Sequence, residues 1–338
     1  MGVILKSANY ALSCLDKWVA PKKAELPLVF FPAKGEVLPE PVGVVLIFSS
    51  WNFPITLALD PLIGAISAGN AVVLKPSELA PACSSFFIET IPLYLDNKAV
   101  KVIGGGADVG ERLLELKWDK IFFTGSPQVG RLVMTAAARH LTPVTLELGG
   151  KCPAVVDAFS SHSKTKVIAK RIAGGKWGLC SGQACIAVDY LLVEEKFAST
   201  LIELLKKNIK RFFGGNLGDL KCVSRIVNKH HFERIYHLLK DPHVASSIVH
   251  GGSVDEERLF VCDSLPFGGA GQSGFGRYHG KYSFDTFSHE KAVLHRAFFP
   301  ELEPRYPPWN DFKLRFIKLA YRFDYFGLIL LLLGLKKP

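Results

Sequence analysis

The chain contains no Cys-x-x-Cys pair, and its seven cysteines fall at irregular spacing. That argues against both a zinc site and a disulfide framework and points to a reducing, cytoplasmic compartment. The opening Met1-Gly2-Val3-Ile4-Leu5-Lys6 has neither the basic n-region nor the long apolar core of a secretory leader. It is not a clean myristoylation signal either, since the hydroxyl comes at Ser7. No apolar run reaches the roughly 20 residues of a membrane-spanning helix. The formal net charge is +10, but no Arg-rich, aromatic-interleaved patch concentrates it, so nucleic acid is not the expected partner. Four of those ten charges come from residues 295–338, where eight Lys/Arg face four Asp/Glu.

What remains is ordinary globular composition, 49% hydrophobic and 21% charged over 338 residues, enough for two domains. Residues 4–19 carry Ile4, Ala8, Ala11, Leu12, Leu15 and Trp18 at helical spacing. After a Pro-rich stretch to residue 41, continuous apolar runs at 42–48, 71–75, 99–103 and 120–124 read as buried strands. Helices are expected at 61–70, 82–95 and 109–116 between them. Strand and helix alternate without hairpin signals, which predicts a doubly wound parallel α/β sheet. Ligands of such sheets sit beyond the C-terminal ends of the strands. Asn52, Lys75 and the turn Thr124-Gly125-Ser126 all follow strands directly.

The turn Gly125-Ser126-Pro127-Gln128-Val129-Gly130 opens a helix, and a helix N-terminus can hold a phosphate. It is not Gly-x-Gly-x-x-Gly, and a bare turn would look the same. Glu147 lies between Leu146 and Leu148-Gly149-Gly150 on a short strand-like run, 144–148. Burial there would raise its pKa and suit it to general-base work, whereas an edge-strand glutamate would simply face water. A polar loop is expected at 160–165. Ser181-Gly182-Gln183-Ala184-Cys185 sets a cysteine after a Gly-containing turn, where a thiolate with nearby donors could attack a carbonyl. Alone, it would equally fit an inert buried thiol.

Ser50-Trp51-Asn52-Phe53-Pro54, Lys75-Pro76-Ser77-Glu78, Phe123-Thr124-Gly125-Ser126, Leu146-Glu147-Leu148-Gly149-Gly150-Lys151 and Gly182-Gln183-Ala184-Cys185 occur in this order. Together they resemble the aldehyde dehydrogenase superfamily. The ending Pro266-Phe267-Gly268-Gly269 through Ser273-Gly274-Phe275-Gly276-Arg277-Tyr278-His279 is similar to its class 3, fatty-aldehyde branch. The resemblance implies a cofactor domain at 1–146 and an α/β catalytic domain at 147–294, truncated around 260, followed by a tail at 295–338. It implies Cys185 as nucleophile, Glu147 as general base and Asn52 as oxyanion donor. Lys75, Glu78, Gly125, Ser126, Val129 and Gly130 would bind NAD or NADP, and no metal is expected. The implied reaction takes aliphatic or aromatic aldehydes to carboxylic acids through a Cys thiohemiacetal and a thioester, in a homodimer.

Two departures stand against it. Family members begin with further helices ahead of the position of Met1. Further on, Gly251-Gly252-Ser253 through Phe260 runs straight into Val261-Cys262-Asp263, and no Phe-Gly-Pro occurs anywhere, although relatives place several strands and helices there. A catalytically impaired partner subunit, or a thiol esterase without hydride transfer, therefore stays open. Cys180 stands where relatives usually have Asn, five residues before Cys185, which raises a Cys180–Cys185 redox pair or a simple substitution. In the tail, Phe312, Phe316, Leu319, Ala320 and Phe323 recur at helical spacing among four cations, and an apolar run follows at 326–335. This reads as a peripheral anchor on the cytosolic face of an intracellular membrane, or as an arm packed on a partner subunit.

Overall fold

The apolar runs become strands because each is short, largely β-branched or aromatic, and covered on both faces. In the computed structural model, which describes residues 2–157, 162–178, 180–213, 226–250, 267–297 and 302–335, α1 (Gly2–Val19), β1 (Lys22–Ala24) and β2 (Lys34–Pro41) lead into the sheet. There follow β3 (Val44–Phe48), α2 (Thr56–Ser67), β4 (Ala71–Lys75), α3 (Pro81–Tyr94), β5 (Val100–Val102), α4 (Ala107–Glu115), β6 (Lys120–Gly125), α5 (Pro127–Ala138) and β7 (Val144–Leu148). The order across the sheet is β5-β4-β3-β6-β7, all parallel. The chain thus winds outward from β3 in one direction and then from β6 in the other. That reversal places a ligand crevice at the C-terminal ends of β3 and β6.

Val45, Leu46 and Ile47 are fully buried. On one face Leu46, Ile121, Phe123 and Leu146 pack against Leu113, Trp118, Val133 and Ala137 from the α4–α5 side. The expected helix at 61–70 in fact begins at Thr56 and carries Pro61 inside it. A proline commonly marks a first turn, and here its ring sits one turn later, at the cost of one backbone hydrogen bond.

Beyond β7 the chain forms β8 (Cys152–Val156), α6 (His162–Trp177), β9 (Val188–Val193), α7 (Glu195–Phe213), α8 (Lys229–Lys240) and α9 (Pro242–Ala245). The helix α6 starts inside the stretch expected to be loop. β8 and β9 pair in parallel, and Val156 packs with Ala169, Ile172, Phe197 and Leu201 of α6 and α7. The 260/261 junction lies outside the described residues. After it, β10 (Gly274–Phe275) adds antiparallel to β7, setting Gly274 opposite Glu147. A Cβ on Gly274 would fall 1.9 Å from the Leu146 carbonyl oxygen, so only glycine admits this approach at φ +113. α10 (Lys281–Thr286) then packs on α2, with Asn70 Nδ2 donating to the Phe287 carbonyl at 2.9 Å.

The elements from β3 to α10, with the first part of α1, belong to one compact unit, drawn from Met1–Leu12 and Val42–Phe287. A second unit comprises Ser13–Pro41 and Ser288–Pro338. In it β2 pairs with both β1 and β11 (Ser288–His295), all antiparallel. Its core joins Val29 to Phe316, Leu319, Ala320, Leu328 and Leu331 of α11 (Asp311–Tyr321) and α12 (Tyr325–Leu332). Asn310 and Asp324 cap those two helices by accepting from Lys313 N and Gly327 N. Among the described residues no helix is long and apolar enough to cross a membrane.

Candidate active site

Two cavities meet over the C-terminal ends of β3 and β6. The first, about 460 Å³, is lined by Lys75, Glu78, Gly110, Gly125, Ser126 and Val129 among others. Lys75 ends β4 with its side chain almost wholly buried, and its Nζ lies 2.9 Å from Glu78 Oε2. Burial opposes the Glu78 charge, but the Lys75 hydrogen bond and charge outweigh it and hold the carboxyl below its ordinary value. Ser126 Oγ accepts from Val129 N at 3.3 Å and caps α5, whose first residue is Pro127. Gly130 does not line the cavity. A Cβ there would meet the Leu148 side chain at 3.0 Å, so its part is to let α5 lie close on β7.

The polar groups lining this cavity suit the ribose and phosphates of a dinucleotide. The Ser49 Oγ on its wall is buried without a hydrogen-bond partner among the described residues, and the capped α5 N-terminus opens onto it.

The second cavity, about 740 Å³, gathers Asn52, Glu147 and Cys185, which are 38 to 133 positions apart in the chain. Asn52 Nδ2 donates to the Gln183 carbonyl at 2.9 Å, which ties the β3 loop to the turn before Cys185. Glu147 is buried, and its Oε1 has no hydrogen-bond partner among the described residues. Burial pushes its pKa up to about 8. The Cys185 thiol is raised as well, by burial and then by the charge of Glu147, while the N–H groups of Cys185 and Ile186 pull the other way. A favoured thiolate is therefore not what the resting site holds: with both groups desolvated, and the thiol also facing Glu147, thiol and carboxylic acid are the neutral-pH forms.

The chain belongs to the aldehyde dehydrogenase family. Residues 20–262 match the family's profile. Across all of this chain and 86% of the relative, it is 51% identical to aldehyde dehydrogenase family 3 member F1 of Arabidopsis thaliana. It is 34% identical to the 4,4'-diaponeurosporen-aldehyde dehydrogenase of Staphylococcus aureus over 95% of this chain and 86% of that one. The substrate-bound structure of Staphylococcus aureus AldH superimposes with a TM-score of 0.87 at 33% identity, covering 95% of this chain and 86% of that chain. These matches place the chain with the class 3 aldehyde dehydrogenases, enzymes that oxidise aldehydes with NAD(P). The match to the Arabidopsis relative runs over 417 residues, 79 more than the 338 of this chain. The relative therefore carries at least 79 aligned positions that this chain lacks, and the family match stops at Cys262, beside the 260/261 junction.

Three residues escaped the sequence reading. His231 and Arg234 of α8 line the second cavity, and His231 lines the first as well, with its ring 5.5 Å from that of Trp51. Desolvation, and then the charges of Arg234 and His230, hold His231 below its ordinary pKa. No local signal marks them, because α8 reaches the site only through tertiary packing. The third is Cys152, whose Sγ donates to the Cys185 carbonyl at 3.0 Å. Cys180 is placed in the chain, but its side chain lies outside the described residues. Among the described residues no group of three or more His, Cys, Asp or Glu could hold a metal.

Proposed function

We propose that this chain oxidises aliphatic, including fatty, or aromatic aldehydes to carboxylic acids with NAD or NADP, using Cys185, Glu147 and Asn52. The observation that carries the reading is the convergence of these three on one cavity, continuous through Ser50, Trp51, Thr124, Gly125, Ser126 and His231 with the cavity of Lys75 and Glu78. Residues 1–146 then serve the cofactor and 147–294 the chemistry.

Cys185 attacks the aldehyde carbon. Asn52 Nδ2 and the Cys185 N–H donate to the oxygen that becomes negative. The thiohemiacetal on Cys185 is oxidised to a thioester. The dinucleotide, when bound, supplies the two-electron acceptor for that step. Lys75 and Glu78 would hold its adenine-side ribose, and the capped turn at Ser126, with Val129 beside it, would hold its phosphates. Glu147, once ionised, takes a proton from water, and that water releases the acid from Cys185. His231, which lines both cavities, would offer a further donor to the cofactor.

Outside the site, α12 is apolar all round. It buries Leu328 and Leu331 and exposes Phe326, Ile329 and Leu332, with Leu333 exposed just after it, Lys318 exposed on α11 and Arg322 exposed at the C-terminal cap of α11. A helix of that kind calls for cover on its outer face. We assign it to peripheral contact with the cytosolic face of an anionic intracellular membrane. The homodimer rests on family membership alone. Flotation of the protein with phosphatidylserine vesicles, lost in a Phe326→Ser/Ile329→Ser/Leu332→Ser variant, is the expected result, and sedimentation gives the subunit number. A wild-type protein that stays at the bottom of the gradient removes the membrane assignment.

The deciding experiment is cofactor absorbance with purified protein, an aliphatic aldehyde and NAD or NADP, beside Cys185→Ala. Cofactor reduction is expected in the wild type, and its loss in the variant should be on the order of a thousandfold or more. A folded wild type that reduces neither cofactor would defeat the dehydrogenase reading.

A further inference from the structure

The proposed reaction uses one thiol, yet the site holds two. Cys152 opens β8, and Cys185 lies in the turn Ala184–Ala187 that feeds β9, the parallel neighbour of β8. The ladder between the two strands shifts register between Cys152 and Pro153, and an irregularity of that kind re-aims the side chain beside it. The Cys152 thiol consequently leaves the ladder and donates to the backbone carbonyl of Cys185 at 3.0 Å. The carbonyl oxygen and the Sγ of Cys185 are four bonds apart, so this hydrogen bond sets the Cys152 sulfur beside Cys185. The Cys185 thiol feels the Cys152 charge directly. Both cysteines are free and half-buried. Of the two, Cys185 lines the wall of the open cavity, so a small oxidant reaches it first.

We propose that Cys152 is the resolving thiol of Cys185. A hydroperoxide oxidises the Cys185 thiolate to a sulfenic acid and is itself reduced to water or an alcohol, its O–O bond breaking as the S–O bond forms. The Cys152 sulfur then attacks the Cys185 sulfur. An S–S bond forms, the S–O bond breaks, and the hydroxyl leaves as water with the Cys152 proton. The resulting Cys152–Cys185 disulfide withdraws the nucleophile from aldehyde chemistry and guards it from the irreversible sulfinic acid. Dithiol reductants return both thiols. Because the raised Cys185 thiol must ionise first, oxidation accelerates as pH rises. The pairing replaces the Cys180–Cys185 pair that sequence spacing suggests. Its consequence for activity rests on Cys185 being the nucleophile, whereas the cross-link itself does not.

The test treats the whole chain with hydrogen peroxide and maps peptides by mass spectrometry without reduction, in the wild type, Cys152→Ser and Cys180→Ser. A cross-linked peptide pair carrying residues 152 and 185, two hydrogens lighter than the reduced pair, is expected in the wild type and in Cys180→Ser and absent from Cys152→Ser. With peroxide sufficient to carry an unguarded sulfenic acid on to the sulfinic acid, dithiothreitol should restore aldehyde oxidation to the treated wild type and not to Cys152→Ser. In that variant the serine hydroxyl can still donate to the Cys185 carbonyl, so activity before treatment is retained. A 180–185 cross-link, or wild-type Cys185 passing to sulfinic acid with no cross-link, overturns the proposal. An untreated wild type without cofactor reduction would tell against the dehydrogenase reading and leave the cross-link result standing.

Discussion

The two cavities are built on opposite principles. Around the first, the charged and capping groups are paired, although the Ser49 and Thr124 hydroxyls are left without partners among the described residues: Lys75 holds Glu78, Ser126 holds the α5 N-terminus, and the helix approaches the sheet over Gly130. Around the second they are left wanting, with Glu147 buried and its Oε1 unbonded among the described residues, and a thiol held in its uncharged form. A surface that must recognise a ligand can be finished before the ligand arrives. Groups that must change charge during a reaction are kept in an environment that resists either charge state only moderately. For Glu147 this sets the pKa at about 8, near the working pH.

Breaking the second cavity gives the largest effect. Glu147→Gln should slow thioester hydrolysis by roughly 10²–10⁴-fold while sparing the first burst of cofactor reduction. Wild-type turnover should climb with pH through about 8, where Glu147 ionises, and the variant should lose that limb. Stability should move the other way. Below pH 4.5 Glu147 is protonated both folded and unfolded. Between 4.5 and about 8 the unfolded chain ionises it while the folded protein keeps the proton, so stability falls as pH rises, and the loss is complete above about 8. Glu147→Gln should therefore unfold at higher temperature than the wild type at pH 9, by a margin on the order of a few kcal/mol, and show no such gain at pH 4. Stopped-flow absorbance and thermal melts across pH measure both, and a wild-type melt that is flat between pH 5 and 9 would contradict the burial argument.

The contrast also explains what could be seen in the sequence. The parallel sheet was legible because each strand is a continuous apolar run between helices, from Val44–Phe48 to Lys120–Gly125. The site residues were legible because each lies at a strand end or beside a glycine turn. β2 and β11 were not, since Pro39, Pro41, Glu36, Glu40 and Lys291 break any apolar pattern and the pairing joins segments some 250 residues apart. His231 and Arg234 stayed hidden for a related reason: α8 buries no residue of its own, and nothing local shows that it borders a cavity. The raised thiol could not be read at all, because it depends first on the burial of Cys185 in the fold and then on its meeting Glu147 in space.

The first cavity offers a smaller and sharper test. Lys75 is nearly buried but its partner Glu78 is 45% exposed along the side chain, so the pair is screened and worth no more than about 1 kcal/mol to the fold. Were the pair structural, Lys75→Met would lower the melting temperature and leave cofactor affinity alone. If it holds the dinucleotide ribose, the variant should raise KM for the cofactor about tenfold, a loss of ~1.4 kcal/mol of binding. Its effect on stability should then be small, because methionine fills the same apolar channel past Phe48 and Gly110. The burst of cofactor reduction at saturating cofactor should be unchanged, since Lys75 lines the first cavity and not the second. Glu78→Gln separates the two partners further. It keeps the side-chain volume and removes only the charge that Lys75 stabilises, so a KM change confined to Lys75→Met would assign the contact to the ammonium group alone.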